Sequence, residues 1–101
     1  MSVVWLNGAL VDEGAARIAP TDRGLLLGDG VFETLRVEAG APCRLERHLA
    51  RLRAGAALLD LAVPLDDGAI AAAMAALLEA HGLAAASLRL TLTRGSGPRG
   101  L

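Results

Sequence analysis

Leu45, Leu49, Leu52, Ala56 and Leu59 recur at i, i+4, i+7, i+11 and i+14, which lays one apolar stripe along an α-helix. A helix with such a stripe needs a surface to bury it against. Residues 87–94 supply a candidate surface, because Leu88, Leu90 and Leu92 alternate with Arg89, Thr91 and Thr93 as in a half-buried strand. By the same period Arg94 shares the leucine side, at the sheet edge or an interface. A second helix is expected where Asp66 or Asp67 can cap its first turn and Gly82 can close its last. Its buried face is expected to carry Ile70, Met74, Leu77 and His81.

The first half of the chain reads as strands and turns. Val3–Leu6 is rich in β-formers, Asn7-Gly8 is a strong turn dipeptide, and Ala9–Val11 can return as the second arm of a hairpin. The stretch from Ala19 to Gly30 is interrupted by Pro20, Asp22, Gly24, Gly28 and Gly30 and is expected to be mainly loop. Val31–Glu38 is a strand candidate that Ala39-Gly40-Ala41 turns back into Pro42–Arg44. This order predicts an α+β fold in which two helices pack on a largely antiparallel sheet. No repeat and no linker divides the chain, so a single domain over residues 1–101 is expected. The last loop ends at Leu101 with no following element, as in a truncated chain or at a domain boundary.

Composition narrows the function. A hydrophobic content of 53% is too high for a disordered tail. The formal net charge of −1 gives no reason to expect nucleic acid or an anionic membrane as partner. Residues 1–8 lack the features of a signal peptide, and the alanine-rich run 69–80 contains Glu79 and is short of the ~20 residues of a membrane span. A soluble cytoplasmic protein is therefore expected. Cys43 is the only cysteine, so no intrachain disulfide forms, and Cys43, His48 and His81 lack the spacing of metal ligands. All ten basic residues are arginines. Without lysine, the chain has no side-chain amine for Schiff-base chemistry.

Three places are candidates for chemistry. Arg51 lies on the flank of the first helix with Arg44 and His48, where a guanidinium can reach into a cleft and grip a phosphate through two parallel hydrogen bonds. With Arg47 and Arg53 nearby, a solvated basic face is the plainer alternative. Gly28-Asp29-Gly30 lacks the spacing of a dinucleotide fingerprint and reads as a tight turn. The final loop sets Arg94 and Arg99 among glycines, a composition that suits either a carboxylate-binding loop or a frayed end.

Taken together, three segments resemble the class IV aminotransferases, the fold-type IV enzymes that use pyridoxal 5'-phosphate (PLP). They are Trp5-Leu6-Asn7-Gly8, then Thr21-Asp22-Arg23-Gly24 leading to Gly28-Asp29-Gly30-Val31-Phe32-Glu33-Thr34-Leu35-Arg36, then Leu45, His48, Arg51 and Leu52 in an H-x-x-R-L pattern. The run from Thr93 to Gly100 extends the likeness. The resemblance implies the small N-terminal domain of a two-domain subunit, with the cofactor between the domains and the subunit in a homodimer. It assigns the cofactor phosphate to Arg51 and a substrate carboxylate to Arg99. It implies no catalytic residue within this chain, since the family's Schiff-base lysine belongs to the C-terminal domain, and the chain alone is expected to be inactive.

Within the family, Gly-Asp-Gly-Val-Phe-Glu-Thr and the loop Arg-Gly-Ser-Gly-x-Arg-Gly look most like 4-amino-4-deoxychorismate lyases, which eliminate pyruvate and leave 4-aminobenzoate for folate synthesis. A D-amino-acid or branched-chain transaminase is the alternative, and Leu101 departs from the residues that either group places there. From another class altogether, a stand-alone binding or interaction domain would use the arginine-bearing face without catalysis.

Overall fold

The computed structural model describes residues 2–97. It contains a hairpin of β1 (Val3–Leu6) and β2 (Ala9–Asp12), a short helix α1 (Arg23–Leu27), strands β3 (Gly30–Glu38) and β4 (Ala41–Pro42), helices α2 (Leu45–Leu58) and α3 (Asp67–His81), and strand β5 (Ala86–Thr93). β3 is the centre of a three-stranded sheet ordered β4-β3-β5, and β1 and β2 form a separate two-stranded ladder. Every pairing is antiparallel, so the fold is the α+β arrangement expected from the sequence.

Both hairpins follow from their turn residues. Asn7 and Gly8 take φ values of 49° and 103°, the paired positive angles that match the twist of the flanking strands. Ala39 and Gly40 do the same at 51° and 77°, which puts Ala41 opposite Glu38. The second arm is consequently Ala41–Pro42 rather than the predicted Pro42–Arg44, because the turn consumes two residues instead of three. The Cys43 amide still donates to the Arg36 carbonyl at 2.7 Å and extends the ladder by one bond.

The core lies on one face of the sheet. Leu35 and Val37 of β3 and Leu88 of β5 meet Leu49 of α2 and Ile70, Met74 and Leu78 of α3. Leu35 is fully buried and Leu49 is 2% exposed, so truncating Leu49 to alanine costs about 2–5 kcal/mol. The stripe of α2 buries Leu49, Leu52 and Ala56 as its spacing predicts, while Leu59 falls outside the helix as its C-cap. In α3 the buried face runs through Ile70, Met74 and Leu78, with Leu77 only partly buried and His81 exposed. Alanine fills most of the remaining positions of α3, so the stripe is weakly marked and its direction is set by the sheet. His81 instead places Nε2 2.8 Å from the Val3 carbonyl and ties α3 to the first hairpin.

The segment read as loop holds the five-residue helix α1. Asp22 caps it, its Oδ1 accepting from the Gly24 and Leu25 amides, and Gly28 ends it in the left-handed region. Five residues that include Gly24 and stop at Gly28 give no apolar period to read, so only the tertiary contacts described below reveal the helix.

Candidate functional site

β3 alternates strictly, and its core-facing residues are Glu33, Leu35 and Val37. A carboxylate therefore stands where the pattern calls for an apolar side chain, only 6% exposed. Burying a charge demands compensation, and α2 supplies it. Arg51 donates from Nε to both Glu33 oxygens at 3.1 and 3.0 Å, and its Nη2 lies 2.9 Å from Oε1. His48 brings Nδ1 to within 2.7 Å of the same Oε1. His48 and Arg51 are three residues apart and share a helix flank, so both reach one acceptor. The hydrogen bonds from Arg51 hold the Glu33 carboxyl below the usual carboxylate range, outweighing the opposing effect of burial, and Glu33 in turn raises Arg51. An ionised carboxylate only accepts, so His48 donates through Nδ1.

The arginine's exposure is the reverse of the carboxylate's. The Arg51 side chain is 72% exposed and lines a shallow concavity with Arg44, Arg47 and His48. Its Nε–Nη2 edge faces Glu33, while Nη1 lies on the guanidinium's other edge. This arrangement fits a phosphate group: an oriented donor edge, open to solvent, among cations that one carboxylate only partly offsets. Arg53 is different, since it spends Nε on Asp67 at 2.7 Å and Nη2 on the Leu65 carbonyl at 2.8 Å, locking α2 to the start of α3. The sequence reading picked out Arg51 and His48 but missed Glu33. The signal was present, because a glutamate in phase with Leu35 and Val37 is a buried charge that must have a partner.

The Gly28-Asp29-Gly30 turn belongs to a second cluster. Asp29 Oδ2 accepts from Arg23 Nε at 2.8 Å and from Arg94 Nε at 2.7 Å. Hydrogen bonds from Arg94 first, then Arg23, hold the Asp29 carboxyl below its ordinary value, and Asp29 raises Arg94. Arg94 lies on the leucine side of β5, as period two requires, and also donates to the carbonyls of Leu59 and Asp60 beyond α2. Asp22 joins the same cluster by accepting from Thr93 Oγ1 at 3.0 Å. Close backbone approach explains the glycines. A Cβ on Gly24 would come within 2.2 Å of Thr93 Cγ2, and one on Gly30 within 2.5 Å of the Leu92 carbonyl oxygen. The Thr21–Gly24 and Gly28–Gly30 segments thus clasp the end of β5, which is a structural role. Arg99 lies outside the described residues. No group of three or more potential metal ligands occurs among the described residues, and no helix there is long and apolar enough to cross a membrane.

Comparison with known proteins fits this geometry. The family model of amino-transferase class IV matches residues 30–101, which include Glu33, His48 and Arg51. A protein of Methanocaldococcus jannaschii, provisionally named a branched-chain-amino-acid aminotransferase, is 39% identical over 98 residues, covering 97% of this chain and 34% of the relative. The crystal structure of 4-amino-4-deoxychorismate lyase from Pseudomonas aeruginosa is 48% identical with a TM-score of 0.70, over 85% of this chain and 30% of that one. A hypothetical aminotransferase from Mycobacterium tuberculosis in its PLP-bound form is 35% identical with a TM-score of 0.79, over 96% of this chain and 35% of that one. The chain spans about a third of the length of the curated relatives that it matches over nearly its whole length. By the family match over residues 30–101 and the identity to the Methanocaldococcus relative, the chain belongs to the class IV aminotransferase family.

Proposed function

We propose that this chain is the N-terminal domain of a PLP-dependent enzyme acting on an amino substrate, and that Arg51 binds the cofactor phosphate. The observation that carries this reading is the exposed Arg51 guanidinium anchored by the buried Glu33. When bound, PLP supplies an electron sink for the carbon that bears the substrate amino group. This chain's part is to bind and orient. Arg51 takes the phosphate, Arg44, Arg47 and His48 surround it with positive or donor groups, and Arg99 takes a substrate carboxylate. The Schiff-base lysine comes from a further catalytic domain, in keeping with the absence of lysine here, and the 101-residue chain alone is inactive. A cytoplasmic homodimer is part of the same proposal.

The preferred reaction is pyruvate elimination from 4-amino-4-deoxychorismate, supported by the Arg94–Gly100 loop sequence and by 48% identity to the Pseudomonas lyase. Transamination of a branched-chain or D-amino acid is the second reading, favoured by the relative that matches nearly the whole chain. The complete protein with PLP should release pyruvate from 4-amino-4-deoxychorismate, measured by coupled reduction to lactate. Amino-group transfer to 2-oxoglutarate without pyruvate release would select the transaminase, and the absence of both would leave the stand-alone binding domain. In the same protein Arg51→Ala should weaken PLP binding roughly ten- to hundredfold, and far more than Arg47→Ala or Arg53→Ala. Equal affinity in the three variants overturns the role of Arg51.

A further inference from the structure

We infer that Glu33 is a positioning residue for phosphate recognition, fixing the Arg51 guanidinium so that its outer edge presents to the ligand. The inference rests on the phosphate-binding reading of Arg51. A free arginine side chain samples many rotamers, and each bidentate contact it makes must first immobilise it. Here the immobilisation is already in place, because Nε and Nη2 both bond one carboxylate. The carboxylate is itself held. His48 donates to the same Oε1, β3 fixes the Glu33 backbone, and burial keeps competing water away. Gly55 allows α2 to approach β3 closely, since a Cβ there would already lie 3.3 Å from Val31 Cγ1.

Two effects of Glu33 on an anion oppose each other. Its negative charge repels phosphate, while its hold on Arg51 aligns the donors. The geometry favours alignment, because the carboxylate lies behind the guanidinium and the exposed side of Arg51 faces the concavity. Glu33 also explains the spacing of the matched segments: the strand glutamate meets helix residues fifteen and eighteen positions later.

The test uses the complete protein and pyridoxine 5'-phosphate, which keeps ring and phosphate but has no aldehyde to react with a lysine or the N-terminal amine. Affinity is measured by calorimetry and phosphorus NMR, and the Arg51 Nε–Hε signal is followed by nitrogen–proton NMR. The wild type should show a protected Arg51 Nε–Hε signal. Glu33→Ala should return it to the position of free arginine and weaken binding roughly three- to tenfold, with Glu33→Gln intermediate. In an Arg51→Ala background, Glu33→Ala should change affinity less than about twofold, because the two act as one unit. Equal losses in both backgrounds, or tighter binding by Glu33→Ala, overturn the inference. So does an unprotected Arg51 Nε–Hε in the wild type, a result that needs no variant to fold. If Arg51→Ala alone leaves affinity unchanged, the phosphate-binding reading fails as well. If it weakens binding while Glu33→Ala and Glu33→Gln do not, only the positioning role fails.

Discussion

Asp29 and Glu33 lie four residues apart, and each carboxylate holds two basic side chains, yet the two clusters do opposite things. At Asp29 the cations turn inward. Arg23 is 7% exposed, and Arg94 is shared with the carbonyls of Leu59 and Asp60. Their donors face protein acceptors, and the result is a clasp between α1, β3 and the end of β5. At Glu33 the carboxylate is the buried partner and Arg51 is open to solvent. Pairing chemistry is the same in both; whether the arginine's remaining donors meet protein acceptors or solvent decides whether it stabilises the fold or offers itself to a ligand.

The largest effect expected from this comparison is on stability. Asp29→Ala removes the acceptor that Arg23 and Arg94 share, and the buried Arg23 guanidinium loses its ion pair with that carboxylate. A fall in melting temperature on the order of 10 °C is expected, larger than for Glu33→Gln, which preserves shape and an acceptor. A smaller loss for Asp29→Ala than for Glu33→Gln would break the comparison.

A smaller effect is expected from the arginines. Arg94→Ala should lower the melting temperature by several degrees and leave affinity for pyridoxine 5'-phosphate within about twofold. Arg51→Ala should reduce affinity, and it should lower the melting temperature by several degrees as well, because it leaves the buried Glu33 carboxylate with His48 alone. Calorimetric melts should fall for both variants while phosphate titrations separate them, and equal affinity losses would show the clusters to be equivalent.

The smallest effect appears in acid. The folded-state value of Glu33 is depressed, so its stabilising contribution is present above the unfolded value of about 4 and is lost as pH falls through the lower folded value. Glutamine does not titrate. The stability difference between wild type and Glu33→Gln should therefore be constant near neutrality and shrink below about pH 4, as followed by denaturant melts across that range. A difference that grows on acidification would reverse the sign and contradict an ionised Glu33.

Much of the fold was legible because it rests on local rules. Asn7-Gly8 fixes a hairpin through its backbone angles, the stripe of α2 fixes which face turns inward, and the alternation of β5 fixes its two sides. The motif pattern, read as a whole, identified the family. What the sequence left undetermined depends on partners distant along the chain. Helix α1 exists because Asp22 caps it while Arg23 and Asp22 are gripped by Gly95, Asp29 and Thr93, none of which has a readable period in common with it. The buried face of α3 passes through Leu78 because the sheet, and no strong local stripe, sets its rotation. The roles of the arginines were the least legible of all. Arg51, Arg53 and Arg94 are chemically identical along the chain; only the tertiary structure gave several donors of Arg53 and Arg94 to acceptors on other elements and stood Arg51 on a buried carboxylate, because a guanidinium's function depends on which of its donors the fold has already used.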